Sequence, residues 1–371
     1  MLSAVTLPTM AIRVTIVPGD GIGPEVIGAA RRAIEATGVR IEWDRREVGA
    51  GAFARTGEPL PSATLDSIRA NRVALKGPVE TPPASGVRSL NLALRRTLDL
   101  YANVRPCRLY GGVPSLYDAV DVLVVRENTE GMYTGIELEM GTRAVEELIG
   151  FIAATTGAVV PSDSGISVKE ITEHGSERIA RFAFGYARAN GRAKVTASHK
   201  ANIMKFSDGL FLEVVRRVAQ EYPEIDFEDR IIDALCMQLV QAPERFDVLV
   251  LPNMYGDLVA ELCAGMIGGA AVAPGGHFGG SDGRDLAVFE ATHGTVPRLA
   301  GVNRANPVGA TLSGAMMLRH LGETVAADTL ETAVAEVLRD GNDVTPDLRA
   351  PDDDRPTVGT AEMTDAVIAR L

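Results

Sequence analysis

Runs of apolar residues, each about the length of a strand and none alternating with polar positions, constrain this chain more than anything else in it. They lie at 12–17, 73–75, 120–125, 194–198 and 246–251. Each is followed by glycine or polar residues and then by a stretch of helix-like sequence. Alternation would mark strands with one solvated face. Its absence marks strands covered on both faces, the situation in an α/β sheet flanked by helices. No internal repeat, low-complexity tract or Ser/Gly linker interrupts the pattern, and boundaries are expected near 106–112 and in the glycine-rich stretch 265–280.

The 371 residues allow a substantial core and one large or two ordinary domains. No run of 18 or more uncharged apolar residues is present, so no membrane span is expected. Residues 1–10 read as a short tail without the features of a secretory signal. A net charge of −12 argues against nucleic acid as a main partner, yet leaves room for a local arginine cluster that takes an anionic small molecule. Cys107, Cys236 and Cys263 are few, odd in number and far apart. They suit a reducing cytoplasm and neither a disulfide framework nor a zinc site.

The loop Gly19-Asp20-Gly21-Ile22-Gly23-Pro24 follows a strand and opens a helix. Its glycine spacing does not match the dinucleotide fingerprint, so it reads as a tight turn that can still line a cofactor cleft. Ser89 stands at an N-cap position before a helix whose Leu90, Leu94 and Leu98 form an apolar stripe. Asn91 and Arg95 share a face away from that stripe, Arg105 follows the helix, and Arg126 ends a strand. Any one of these arginines alone reads as a surface ion-pair partner; three together could hold a di- or tricarboxylate.

Asp233 ends an apolar run, and Asp257 and Glu261 are one helical turn apart. Hard carboxylate oxygens suit Mg2+ or Mn2+, although Asp257 alone reads equally as a helix N-terminal acid. Tyr133 and Lys200 can act as proton donor and acceptor where burial or charge shifts them; nothing in their spacing distinguishes them from structural residues.

Eight stretches in order join these pieces: PGDGIGPEV (18–26), RSLNLALRRTLDLYANVRP (88–106), VVRENTEGMYTG (124–135), SERIARFAF (176–184), VTASHKANIMKFSDGLF (195–211), FDVLVLPNMYGDL (246–258), EATHGTVPRLAG (290–301) and ANP (305–307). The chain closely resembles the isocitrate and isopropylmalate dehydrogenase family of β-decarboxylating dehydrogenases. The resemblance implies a two-domain, non-Rossmann α/β fold with a central mixed sheet flanked by helices. It places a large cofactor domain at 1–107 plus 268–371 and a small dimerisation and metal domain at 108–267. It further implies that Ser89, Asn91, Arg95, Arg105 and Arg126 bind the substrate and that Tyr133 and Lys200 transfer protons. Asp233, Asp257 and Glu261 fall at its metal positions, where the last is normally Asp. His293, Gly294, Thr295, Val296, Pro297, Arg298 and Leu299, with Asn306, match its adenosine-binding segment. Family members place Lys200 and Asp233 in the site of the other subunit, so the resemblance implies a homodimer with shared active sites.

The implied reaction oxidises a 2-hydroxy acid with NAD(P) and removes its β-carboxylate as CO2. Ser89 and Asn91 match members that take isocitrate, the first expectation. Homoisocitrate, isopropylmalate, tartrate and a phosphono analogue remain alternatives, as does a non-catalytic regulatory subunit. Arg298 stands where NAD-linked relatives carry Asp, which leans the expectation towards NADP, with Arg349 as a second positive charge. The run Val-Thr-Pro-Asp-Leu leans the other way, towards NAD.

Overall fold

The glycine loop near the start of the chain is a turn organised by one carboxylate. Asp20 accepts backbone N–H groups from Ala50, Gly51 and Glu80 at 3.0, 3.1 and 2.8 Å. Gly21 has a φ of 59°, and a Cβ there would lie 2.0 Å from the carbonyl oxygen of Thr295. Only glycine allows that approach, and it lets Ile22 donate its N–H to Thr295 O at 2.9 Å. The turn thus fastens the chain start to the loop at 293–299.

The structure is a computed structural model that describes residues 12–86, 88–280, 285–350 and 352–371. It divides into two units. The first comprises 1–124, 241–246 and 259–371; the second comprises 125–240 and 247–258. The chain crosses between them four times: inside the strand Asp121–Glu127, at the end of the helix Ile232–Gln241, just before the strand Val248–Leu251, and inside the helix Asn253–Met266. None of these crossings falls in the proline and glycine punctuation at 106–112 and 265–280.

Six strands form the sheet of the first unit, in the order Ile41–Arg45, Ile12–Val17, Val73–Lys76, Leu286–Phe289, Gly276–Gly279 and Ala102–Arg108. Ile12–Val17 pairs in parallel with both neighbours, and Leu286–Phe289 in parallel with Val73–Lys76. Gly276–Gly279 runs antiparallel to the strands on either side of it, so the sheet is mixed. Its central strands are buried along their length, as the unalternating sequence requires. The helices Gly23–Ala36, Val308–His320, Thr324–Asp340 and Thr360–Ile368 pack on one another. Val308–His320 is buried almost all round, which its small residues permit.

In the second unit Val248–Leu251, Lys194–His199 and Asp226–Ile231 follow one another in parallel beside the end of Asp121–Glu127. The helices Glu173–Ala189 and Asp208–Ala219 pack together. Thr172 caps the first of them, its hydroxyl accepting the N–H of Gly175 at 2.9 Å. This unit exposes much apolar surface, including Phe151, Ile203, Phe206, Met237, Val240 and Leu258. Among the described residues no helix is long and apolar enough to cross a membrane. None of the three cysteines is in a disulfide.

Candidate active site

Arg126 shows how the second unit holds a buried charge. It is the penultimate residue of its strand and is only 1% exposed. A buried guanidinium costs several kcal/mol unless its donors are matched. Here Nε and Nη2 donate to Asn253 Oδ1 at 3.0 and 2.7 Å, and Nη1 pairs with Asp257. Gly256 makes this possible, because a Cβ there would lie 2.6 Å from Arg126 Cγ. The guanidinium also lies 4.9 Å over the ring of Tyr133, held on the short turn Gly131–Thr134. Tyr133 donates its hydroxyl to Asp257. Arg126, Tyr133 and the sequence-distant Asp257 are therefore one contact cluster.

Lys200 follows the strand Lys194–His199, and its ammonium pairs with Asp233 at the start of the helix Ile232–Gln241. That hydrogen bond holds the Asp233 carboxyl below its usual range. The pair is open to solvent, with the Asp233 side chain 67% exposed.

Within one chain each residue at an expected metal position is paired with another group. Asp233 answers to Lys200, Asp257 to Arg126 and Tyr133, and Glu261 accepts from Arg105 Nη1 at 2.9 Å within the first unit. Among the described residues no group of three or more His, Cys, Asp or Glu could hold an ion. Asp257 and Asp233 carry the hard oxygens a divalent cation takes, so they fit in chemistry, but one chain does not assemble the cage. Glu261 is committed to an arginine.

In the first unit Ser89 caps the helix Leu90–Thr97, its oxygen accepting the N–H of Leu92 at 3.3 Å. Leu90, Leu94 and Leu98 are buried, as the stripe predicts. That orientation leaves Asn91 and Arg95 on the other face, and the Asn91 Oδ1 is buried with no hydrogen-bond partner. Arg105 is buried and donates from Nε to Asn103 Oδ1 at 2.9 Å. Nearby, Lys76, Glu290 and His277 form a buried triad. Glu290 pairs with the Lys76 ammonium and meets His277 Nε2 at 2.8 Å. Burial alone would raise the Glu290 carboxyl; Lys76 and His277 override it and hold the group far below its usual range. Burial, with Arg95 adding to it, lowers His277 to about 4, so the imidazole is neutral.

A cavity of about 450 Å³ in the first unit is lined by His293, Val296, Arg298, Leu299 and Asn306, together with Ile22, Arg304 and Asp347. His293 donates from Nδ1 to Gly294 O at 3.0 Å, and its Nε2 is buried without a partner. Such a nitrogen awaits a donor. Asp347 accepts from Asn306 Nδ2 at 2.9 Å and from Thr345 Oγ1 at 2.7 Å. Arg349 does not line this cavity. Its guanidinium is taken up by the carbonyls of Gly341, Asn342 and Pro356 and by Asp353. The second positive charge expected for an NADP phosphate is therefore spent elsewhere.

The sequence reading missed Asn253, Asp347 and the triad. Asn253 and Glu290 each come just after a buried strand, where a polar side chain faces a cleft in many α/β folds, and that signal was available.

The isocitrate/isopropylmalate dehydrogenase family matches residues 13–367. The chain is 46% identical over 361 residues to the probable alpha subunit of the mitochondrial isocitrate dehydrogenase (NAD) of Drosophila melanogaster, covering 97% of this chain and 87% of that protein. It is 46% identical over 359 residues to a regulatory subunit of the mitochondrial isocitrate dehydrogenase (NAD) of Dictyostelium discoideum, covering 97% and 92%. The crystal structure of isocitrate dehydrogenase from Methylococcus capsulatus is 47% identical, with a TM-score of 0.86 over 96% of this chain and 98% of that one. The two named relatives from Drosophila and Dictyostelium are NAD-linked, which gives the lean towards NADP no support. They are also mitochondrial, unlike the cytoplasmic expectation. Free thiols fit any reducing compartment and cannot choose between the two.

Proposed function

This chain belongs to the isocitrate/isopropylmalate dehydrogenase family of β-decarboxylating dehydrogenases, and within it we propose that its substrate is isocitrate and its hydride acceptor NAD. The contact cluster of Arg126, Tyr133 and Asp257 carries the reading. It joins a carboxylate-binding cation, a proton donor and a hard oxygen ligand in one place.

Arg126, with Arg95 and Arg105, binds the carboxylates of the substrate. Ser89 and Asn91 recognise its γ-carboxylate. Ser89 uses its oxygen lone pair on the helix but keeps its O–H to donate. Asn91 has an unfilled amide position and can present either its oxygen or, flipped, its N–H. An isopropyl group would leave both polar groups unmatched, at about 1–3 kcal/mol each. Lys200 takes the hydroxyl proton as the alcohol is oxidised. Tyr133 returns a proton to the carbon that loses CO2. A divalent cation on Asp257 and on Asp233 of a second copy would supply Lewis-acid stabilisation of the charge left by decarboxylation. The apolar surface of the second unit supports that homodimer.

For the cofactor, His293 Nε2 and the Asp347 carboxylate both offer acceptors in the cavity. Acceptors suit the hydroxyls of an adenosine ribose and repel a 2′-phosphate. A purely regulatory role is not favoured, since Tyr133, Lys200, Asp233 and Asp257 are all retained. The test is the purified chain with Mn2+ and either isocitrate or isopropylmalate, with NAD and with NADP. The proposal expects the highest kcat/KM for isocitrate with NAD. Turnover only with isopropylmalate, or a preference for NADP, would overturn the corresponding half.

A further inference from the structure

Asp208 is a fully buried carboxylate that none of the steps above uses. It is the first residue of the helix Asp208–Ala219, where the helix dipole favours a negative charge. One oxygen pairs with the ammonium of Lys169. The other accepts the backbone N–H of Lys200 at 2.7 Å. The Lys169 ammonium also lies 4.8 Å from the centre of the Tyr255 ring. Burial, and with it the Asp208 charge, pushes the Tyr255 hydroxyl up.

A surface cap would need no such burial, because Ser or Asn serves as well in water. A buried ion pair is weak as a source of stability, since desolvation consumes most of its attraction. What it does supply is position. The Lys200 main chain is held at both ends: its N–H by Asp208, and its carbonyl by the N–H groups of Ile203 and Met204, each at 2.9 Å. The next N–H, of Ala201, donates to His199 Nδ1 at 3.0 Å, and His199 Nε2 meets Asp229 at 3.2 Å. Backbone freedom at Lys200 is thus removed while its side chain reaches out to Asp233.

We propose that Asp208, paired with Lys169, is a positioning residue that fixes the Lys200 backbone and so aims its amine at the reacting hydroxyl. The inference rests on the proton-transfer role of Lys200. Asp208→Asn keeps the shape but gives up the charge. It should lower kcat by tenfold or more, because small misplacements of a proton acceptor cost up to about 10² in rate. KM for NAD should stay within about twofold, since the cofactor cavity belongs to the other unit. All rates are read well below each variant's own melting temperature, with the far-ultraviolet circular dichroism intact. A variant that melts earlier but keeps its kcat would reduce Asp208 to a structural residue and overturn the proposal. Lys200→Met is measured beside it. If Lys200→Met stays active, the role of Lys200 falls and this inference with it. If Lys200→Met is inactive and Asp208→Asn runs at full rate, the inference alone fails. Should Asp208→Asn not fold, Lys169→Met takes its place: a smaller fall in kcat at unchanged KM supports the proposal, and an unchanged kcat overturns it.

Discussion

Two sets of charges, one in each unit, are held in opposite ways. In the first, Lys76, Glu290 and His277 are sealed from water and satisfy one another. In the second, Lys200 and Asp233 pair at the surface, and Asp257 is shared by Arg126 and Tyr133. The sealed set is complete without a ligand. The open set is made of groups that substrate, cation or a second copy would draw apart. On the proposed function, the contrast separates charges that hold the scaffold from charges kept for chemistry.

Opposite substitutions should break along that line. Glu290→Gln leaves the Lys76 ammonium buried without its counter-charge, at a cost of about 3–5 kcal/mol of stability, read from urea unfolding. Asp233→Asn should leave the melting temperature nearly unchanged, because exposed pairs contribute little, yet lower kcat by about 10² or more. Equal effects of the two on stability would erase the distinction.

A finer test uses pH. The neutral His277, at about 4 in the folded chain, titrates near 6.5 when unfolded, so the unfolded state binds the extra proton between those values. Its contribution therefore makes stability fall as pH drops from about 6.5 towards 4. Glu130, raised to about 7 mainly by burial, acts in the reverse direction over much of that window. The informative quantity is thus the difference between wild type and His277→Gln. The substitution should remove the His277 slope between about 4 and 6.5. Parallel curves would show that His277 is not the group responsible.

The smallest expected effect is at Arg298. With NAD as cofactor, Arg298→Asp should leave kcat/KM for NAD within about threefold and lower what activity NADP supports. A large loss with NAD would give Arg298 a direct role in the cofactor cavity.

Much of this was legible beforehand, and for physical reasons. The strand at 12–17 and the capped helix after Ser89 were visible because burial on both faces and N-cap chemistry are local signals. The pairing of Arg126 with Tyr133 and Asp257 had only the resemblance behind it, since periodicity says nothing about side chains 131 residues apart. Arg349 was misjudged because its charge is visible in the sequence and the carbonyls that absorb it are not. Asp208 went unread for the same reason: an acid at a helix start looks like a cap until its burial is known.

The claim that the open set is completed by a second copy has one direct test. Lys200→Met and Tyr133→Phe are purified separately, then mixed under conditions that exchange protomers. If Lys200 serves the site of the other chain, mixed dimers contain one intact site, and the mixture should recover about a quarter of wild-type activity from two nearly inactive parents. No recovery, with mixed dimers demonstrably formed, would show that each chain uses its own lysine and contradict the account.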